Sequence, residues 1–149
     1  PRLAKAGVDI VERRLLTPGR DTWLKRQAGK FDGVLIDAPC CGVGAWRRNP
    51  DARWGRGQPD LASLTKLQSE ILDRAARLVK PGGRLVYVTC SLIPEENELQ
   101  TSAFLSRTAG FSYGTPINFP VVTDKGHVTL TPSDTGTDGF FIAWLNREK

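Results

Sequence analysis

Thiols are the most reactive groups in this sequence, and there are three of them: Cys40 and Cys41 are adjacent and Cys90 stands apart. Two common uses of cysteine do not fit this spacing. An adjacent pair plus a distant third is no disulfide framework. There is no Cys-x-x-Cys pair, and the single histidine, His127, is far from all three, so the pattern is not that of a zinc site either. Reduced thiols fit better, whether buried as small hydrophobic groups or kept as nucleophiles. A second concentration of chemistry lies just beyond the cysteine pair. Residues 46–56, WRRNPDARWGR, interleave arginines with Trp46 and Trp54. Planar cations and aromatic rings of this kind suit phosphates and unstacked bases. The net charge of +5 and the isoelectric point near 9.4 are compatible with a nucleic-acid partner without demonstrating one.

These groups need elements to position them. Residues 31–37, FDGVLID, form an apolar run ending in an aspartate, as expected of a buried parallel strand. A glycine-, proline- and arginine-rich stretch follows, from Ala38 to Pro59, longer than most connections in a compact domain and therefore read as a functional loop. Asp60 can cap a helix running to about Lys80, with Leu61, Leu64, Leu67, Ile71, Leu72, Ala75 and Leu78 at helical spacing. Pro81-Gly82-Gly83 is read as its stop, and residues 84–90, RLVYVTC, as a second buried strand. Pro94 suits the first turn of another helix, with Glu95, Glu96 and Glu98 near its positive end and Leu99, Ala103 and Phe104 facing inward. Strands are also expected at residues 8–16, 127–131 and 139–145.

At 149 residues the chain is expected to form one compact domain. The composition, 40% hydrophobic and 25% charged, is that of an ordinary globular protein. No apolar run approaches the ~20 residues of a membrane span, and no secretory leader pattern opens the chain. The expected setting is the cytoplasm. The chain starts at Pro1 and contains no methionine, which suggests a fragment or an excised domain.

Strand, long loop, helix, strand, helix is the rhythm of an open α/β sheet, in which ligands bind beyond the carboxyl ends of the strands. The two central strands end in Asp37-Ala38-Pro39-Cys40 and Thr89-Cys90-Ser91, so each delivers a cysteine to the same rim. Two thiols at one rim suit methylation of a pyrimidine. Carbon 5 of cytosine is a poor nucleophile until a thiolate adds to carbon 6, and a second thiol can assist release.

The segments DAPCCGVGAWRRNPDARW (37–54), VTCSLIPEENE (88–98) and GTDGFF (136–141) together resemble the Sun/Fmu family of RNA cytosine-5 methyltransferases, in particular the bacterial ribosomal-RNA enzymes. The resemblance covers nearly the whole chain in order. It implies a partial class-I S-adenosylmethionine-dependent methyltransferase fold, Rossmann-like, with a mostly parallel sheet and helices on both faces. Residues 1–149 would be a single, N-terminally incomplete catalytic domain. The family pattern makes Cys90 the nucleophile and Cys40 the residue needed for product release; DNA cytosine methyltransferases use a nucleophile matching Cys40, so chemistry alone does not separate the roles. Asp37 matches the acid beside S-adenosylmethionine and the target base. Pro39, Arg47, Arg48 and Arg53 are assigned to RNA, expected to be ribosomal. No metal and no membrane contact are implied, and the complete protein is expected to be a monomer.

Family sheets run in the order three-two-one-four-five-seven-six. With residues 8–16 as strand three, FDGVLID as four and RLVYVTC as five, the glycine-rich cofactor loop and strands one and two would precede Pro1. FDGVLID would then be an exposed apolar edge and residues 8–16 would lie detached from it. Such a piece alone is expected to bind cofactor very weakly and to leave RNA unmethylated. Gly42-Val43-Gly44 does not replace the missing loop, because it follows the wrong strand.

Other residues have plainer readings. Cys41 is read as packing, Glu95, Glu96 and Glu98 as helix-end electrostatics, His127 as structural, and Asp138 as fixing a turn before the last strand. Asp37 could instead cap a turn. An alternative for the whole chain is an RNA-binding module without catalysis, with the arginine loop as its active part. An amino-methylating enzyme is remote, because such enzymes carry Asn/Asp-Pro-Pro-Tyr/Phe where this chain has Asp-Ala-Pro-Cys.

Overall fold

The aliphatic run Phe31–Asp37 forms β1 and pairs in parallel with β2, Val79–Thr89. This pair anchors a computed structural model that describes residues 5, 7, 14–16, 22–54, 60–116, 123 and 125–149. Before β1 comes a short helix, α1 (Thr22–Arg26), and between the two strands lies α2 (Leu61–Ala76). After β2 come α3 (Glu98–Arg107), β3 (Phe111–Tyr113), β4 (His127–Leu130), the single turn α4 (Pro132–Thr135) and β5 (Phe140–Arg147). The expected strand at residues 8–16 falls largely on residues 8–13, outside the described residues; residues 14–16 have no regular structure.

The five-stranded sheet has the order β1-β2-β5-β3, with β4 also on β5. β5 is antiparallel to β2, β3 and β4. Four strands therefore run one way and β5 alone runs the other, which makes the sheet mixed and mostly parallel. The order agrees with the four-five-seven-six part of the expected arrangement. β3 and β4 lie along the same edge of β5: Tyr113 faces Leu145 and His127 faces Ala143. Between them Gly114 N–H donates to Trp144 O (2.8 Å) and Trp144 N–H donates to Gly126 O (2.9 Å), so the edge strand is interrupted and then resumed. Among the described strands β1 pairs only with β2, and its Leu35 is 70% exposed, as expected of an open apolar edge.

Alternation along the strands decides what the helices cover. Ile36, Leu85, Tyr87, Phe141, Ala143 and Leu145 point to one face and pack with Leu72, Ala75 and Ala76 of α2 and with Phe104 of α3. Asp60 caps α2 as expected, its side chain accepting the N–H of Ser63 at 2.9 Å. Two details of the expected pattern change. α2 stops at Ala76, and Pro81-Gly82-Gly83 lies inside β2, where the register jumps from Phe31–Val79 to Gly33–Arg84. This is a bulge, a place where proline's missing N–H is tolerated. It needs glycine, because a side-chain carbon on Gly83 would come within 2.9 Å of the carbonyl oxygens of Asp32 and Lys80. The second change is facial. α2 turns Leu64, Gln68 and Leu72 inward and leaves Leu61 and Leu67 exposed, while α3 buries Gln100, Thr101 and Phe104 rather than Leu99 and Ala103. Polar residues thus occupy positions that spacing alone assigns to an apolar core.

Among the described residues no helix is long and apolar enough to cross a membrane. The facing of α2 predicts a contrast in stability. Leu72→Ala should cost about 2–5 kcal/mol in urea unfolding, and Leu67→Ala about 0.5 kcal/mol or less. Equal costs would mean that the helix presents another face to the sheet.

Candidate active site

Because β1 and β2 are parallel and Asp37 lies opposite Val88, both chains leave the sheet at the same rim. Ala38 N–H still donates to Val88 O (2.9 Å), which carries the pairing one residue past β1. Cys40 and Cys90 follow at once, and their sulfurs lie 3.3 Å apart. Both thiols are half-buried. Burial, and then the contact with Cys90, pushes the Cys40 thiol up to about 12. Cys40 therefore keeps its proton at neutral pH and can donate it to the Cys90 sulfur.

Cys41 turns away from this pair. Its thiol donates to Glu96 Oε2 (2.7 Å) and lies 3.3 Å from Ser91 Oγ, and its backbone N–H donates to Glu96 Oε1 (2.9 Å). Burial and then the Glu96 contact raise its pKa. Cys41 is thus a hydrogen-bonding group rather than simple packing. Glu96, in turn, does not act in helix-end electrostatics. It closes a short 3-10 turn, Pro94–Glu96, and is fully buried. Gln68 Nε2 donates both to Glu96 Oε1 (3.0 Å) and to Pro39 O (2.9 Å). The next residue, Asn97, accepts from Thr89 Oγ1 (2.6 Å) and donates to Ser91 O (3.0 Å), holding the residues on either side of Cys90. Gln68, Glu96 and Asn97 were missed by sequence reasoning. Gln68 did leave a signal, since it stands at helical spacing between Leu64 and Leu72. Glu96 and Asn97 left none, because they lie in a tight turn where helical periodicity does not apply.

A second set of contacts joins the cysteine rim to the loop before β5. Gly44 N–H donates to Cys90 O (3.0 Å), and Gly139 N–H donates to Gly44 O (2.9 Å). A side-chain carbon on Gly44 would sit 2.2 Å from the Gly139 carbonyl oxygen. Gly44 thus serves backbone-to-backbone packing under Cys90, whereas Gly42 takes a left-handed backbone conformation with nothing packed against it. Asp138, just before Gly139, is buried and ion-paired with Arg48 Nε and, at 3.5 Å, with Arg47 Nη2. Asp138, read from sequence as fixing its own turn, instead directs its carboxylate to the arginine loop and so ties that loop to the residues before β5. Arg53, in the 3-10 turn Pro50–Trp54, stacks instead, 5.0 Å from the Trp54 ring centre and 5.7 Å from that of Trp46. Trp54 is 77% exposed.

Of the residues singled out from sequence, Cys40 and Cys90 meet directly and Asp37 stands at their rim. Its carboxylate is exposed and, among the described residues, makes no hydrogen bond or ion pair. The Pro39 ring is exposed while its carbonyl is tied to Gln68. Arg47 and Arg48 are drawn onto Asp138, with their side chains still 55% and 69% exposed. His127 packs between Tyr113 and Phe141, with ring centres 5.5 Å and 5.4 Å away, and burial lowers its pKa. Among the described residues no group of three or more His, Cys, Asp or Glu is arranged to hold a metal ion.

The sequence matches the family model described as 16S rRNA methyltransferase RsmB/F over residues 11–146. The chain belongs to this RsmB/F family. Relatives named ribosomal RNA small subunit methyltransferase B include one from Shewanella oneidensis, 43% identical over 84% of this chain and 28% of its own length. Another, from Enterobacter sp. strain 638, is 47% identical over 80% of this chain and 27% of its own. The chain thus spans just over a quarter of the length of the RsmB/F relatives it matches. Among solved structures, a methyltransferase homologue from Pyrococcus horikoshii superposes with a TM-score of 0.65 at 30% identity, covering 97% of this chain and 47% of its own. NSun6 from the same organism, solved with SFG, gives 0.62 at 29% identity, covering 77% of this chain and 29% of its own. These likenesses agree with a Rossmann-like methyltransferase fold.

The raised Cys40 pKa has a measurable sign. The ordinary thiol value is 9.0, and the folded state holds this proton up to about 12. The stabilisation it gives is complete below the lower value and is lost as pH climbs through the upper one. Alkylation of Cys40, followed by peptide mass spectrometry, should stay slow past the ordinary thiol value and accelerate only well above it. Rapid labelling of Cys40 near neutral pH would contradict this environment.

Proposed function

We propose that the protein containing this chain transfers a methyl group from S-adenosylmethionine to carbon 5 of cytosine in ribosomal RNA, through a covalent bond between Cys90 and the base. The observation that carries this reading is the 3.3 Å contact between Cys40 and Cys90 at the ends of adjacent parallel strands. Family membership supports the reaction class, and the names of the relatives support the RNA. The SFG of the NSun6 structure is an analogue of S-adenosylmethionine, which supports the cofactor.

The fit of that cofactor rests on Asp37. Its exposed carboxylate has no internal partner among the described residues and stands at the carboxyl end of a parallel strand, where Rossmann-like sheets bind ligands. When bound, S-adenosylmethionine supplies an electrophilic methyl group on a sulfonium. In this mechanism the Cys90 thiolate adds to carbon 6 of the cytosine, and the displaced electron pair makes carbon 5 nucleophilic. Asp37 can hydrogen-bond the ring as charge develops. After methylation the carbon 5 proton is lost to a base, the double bond re-forms and Cys90 leaves. Cys40, held as a thiol beside the departing sulfur, is placed to stabilise it by hydrogen bonding and so to speed release. A protonated Cys40 fits the release role, and the family pattern supports Cys90 as nucleophile, a distinction that the residue types alone leave open.

The arginine-tryptophan loop would contact RNA, with Arg53 and the exposed Trp54 as the stacking part and Arg47 and Arg48 as cations held in place by Asp138. The reading also places the parent protein in the cytoplasm as a monomer that uses no metal. The open edge of β1 supports a further part of it, that residues 1–149 act as one portion of a larger catalytic domain and are inactive alone.

Substitution of the two cysteines in the complete enzyme separates their roles. Cys90→Ala should abolish both methylation and the covalent RNA adduct. Cys40→Ala should form the adduct and fail to release it. Normal turnover by Cys40→Ala, with an adduct accumulating in Cys90→Ala, would reverse the assignment.

A further inference from the structure

A buried carboxylate is costly unless its oxygens are well supplied with donors. Glu96 is fully buried and, among the described residues, forms no ion pair. Three hydrogen bonds satisfy it instead, and their destinations are informative. Two come from Cys41, through its N–H and its thiol, and the third from Gln68. The same Gln68 nitrogen holds the carbonyl of Pro39. Glu96 and Gln68 together therefore grip the chain on both sides of Cys40 and leave the Cys40 side chain to Cys90.

The Cys90 side is held in the same way by the neighbouring residue. Asn97 takes hydrogen bonds to Thr89 and Ser91, which flank Cys90. Glu96 and Asn97 are themselves fixed: Tyr87 Oη donates to Glu96 O (2.8 Å), and Thr101 N–H donates to Asn97 O (3.0 Å). Two consecutive residues thus fix where both cysteines sit. A single rigid turn, rather than two independent loops, sets the distance between the sulfurs. An apolar pair of similar volume could fill this space without a buried charge, so packing alone does not account for Glu96.

We propose that Glu96 is a positioning residue for the release step: through Cys41, and with Gln68, it holds the Cys40 thiol against Cys90. The inference rests on the cysteine roles proposed above. Displacement of a reacting group by a fraction of its contact distance lowers a rate steeply. Losing Glu96 should therefore harm the step that uses Cys40 and spare the attack by Cys90, a split that general loss of structure would not produce.

The test uses the complete enzyme with cytosine-containing substrate RNA and measures two quantities, the covalent adduct formed in a single turnover and the rate of product release. Glu96→Ala should form the adduct and release product about tenfold or more slowly. Glu96→Gln should recover most of the release rate, since its carbonyl can still accept from Cys41 N–H and Gln68 while its amide donates to the Cys41 sulfur. Gln68→Leu conserves bulk and removes the grip on Pro39, so it should slow release even if Glu96→Ala does not fold. Wild-type release in folded Glu96→Ala or in Gln68→Leu would overturn the proposal, as would equal loss of adduct formation and release. Cys40→Ala run in parallel separates the two readings: if it releases normally, the assignment of Cys40 has failed, whatever Glu96 does.

Discussion

β1 and β2 run side by side in the same direction, with Asp37 opposite Val88, and the backbone hydrogen bond from Ala38 to Val88 extends the pairing to the rim. Parallel pairing puts the ends of both strands on one edge of the sheet; an antiparallel pair would have sent Cys40 and Cys90 to opposite edges. The sulfur contact, the exposure of Asp37 and the descent of the arginine loop beside Cys90 all follow from this geometry. The aliphatic alternation that buries Ile36, Leu85 and Tyr87 against α2 therefore also fixes the chemistry, because slipping the register by one residue would turn these side chains to the other face.

Around the cysteines the structure uses polar contacts and glycines where an apolar core would be simpler. Gln68, Glu96, Asn97, Thr89 and Ser91 are all buried and joined by hydrogen bonds. Satisfied networks of this kind are directional and define one arrangement, whereas apolar contacts tolerate several. On the other side, Gly44 and Gly139 let two backbones touch where any side chain would clash. Cys90 is thereby held from both sides, by Asn97 through its neighbours and by Gly44 through its own carbonyl. The Asp138 ion pairs extend the same connection outward to Arg47 and Arg48, so the arginine loop is tied to the loop that supports Cys90.

Much of this was legible in the residues. FDGVLID and RLVYVTC are apolar runs of strand length; the second ends at Cys90 and the first is followed three residues later by Cys40, so the shared rim could be inferred before the fold was known. The cap at Asp60 and the inward Leu64, Leu72 and Ala75 were also readable. What could not be read was set by tertiary context. Pro81-Gly82-Gly83 looks like a helix stop, yet the bulge it forms depends on the backbone of the neighbouring strand at Asp32. Leu99 and Ala103 carry the right spacing for a core, but α3 rotates so that Gln100 and Thr101 meet the polar network instead. Glu96 reads as one of three acidic residues at a helix start, and only its position in the turn ahead of α3 carries it inside. Likewise, Arg47 and Arg48 read as free cations because their partner, Asp138, is remote in sequence.

The central claim is that Cys40, rather than its neighbour Cys41, meets Cys90 at the rim. Prolonged treatment of the complete protein with a short bifunctional thiol reagent, so that attachment at Cys90 holds the second arm against the slowly reacting Cys40, followed by digestion and peptide mass spectrometry, tests it most directly. The account predicts a bridge joining Cys40 to Cys90, with Cys41 left unmodified beside Glu96. A bridge from Cys41 to Cys90, or single modifications at Cys40 and Cys90 without any bridge, would contradict it.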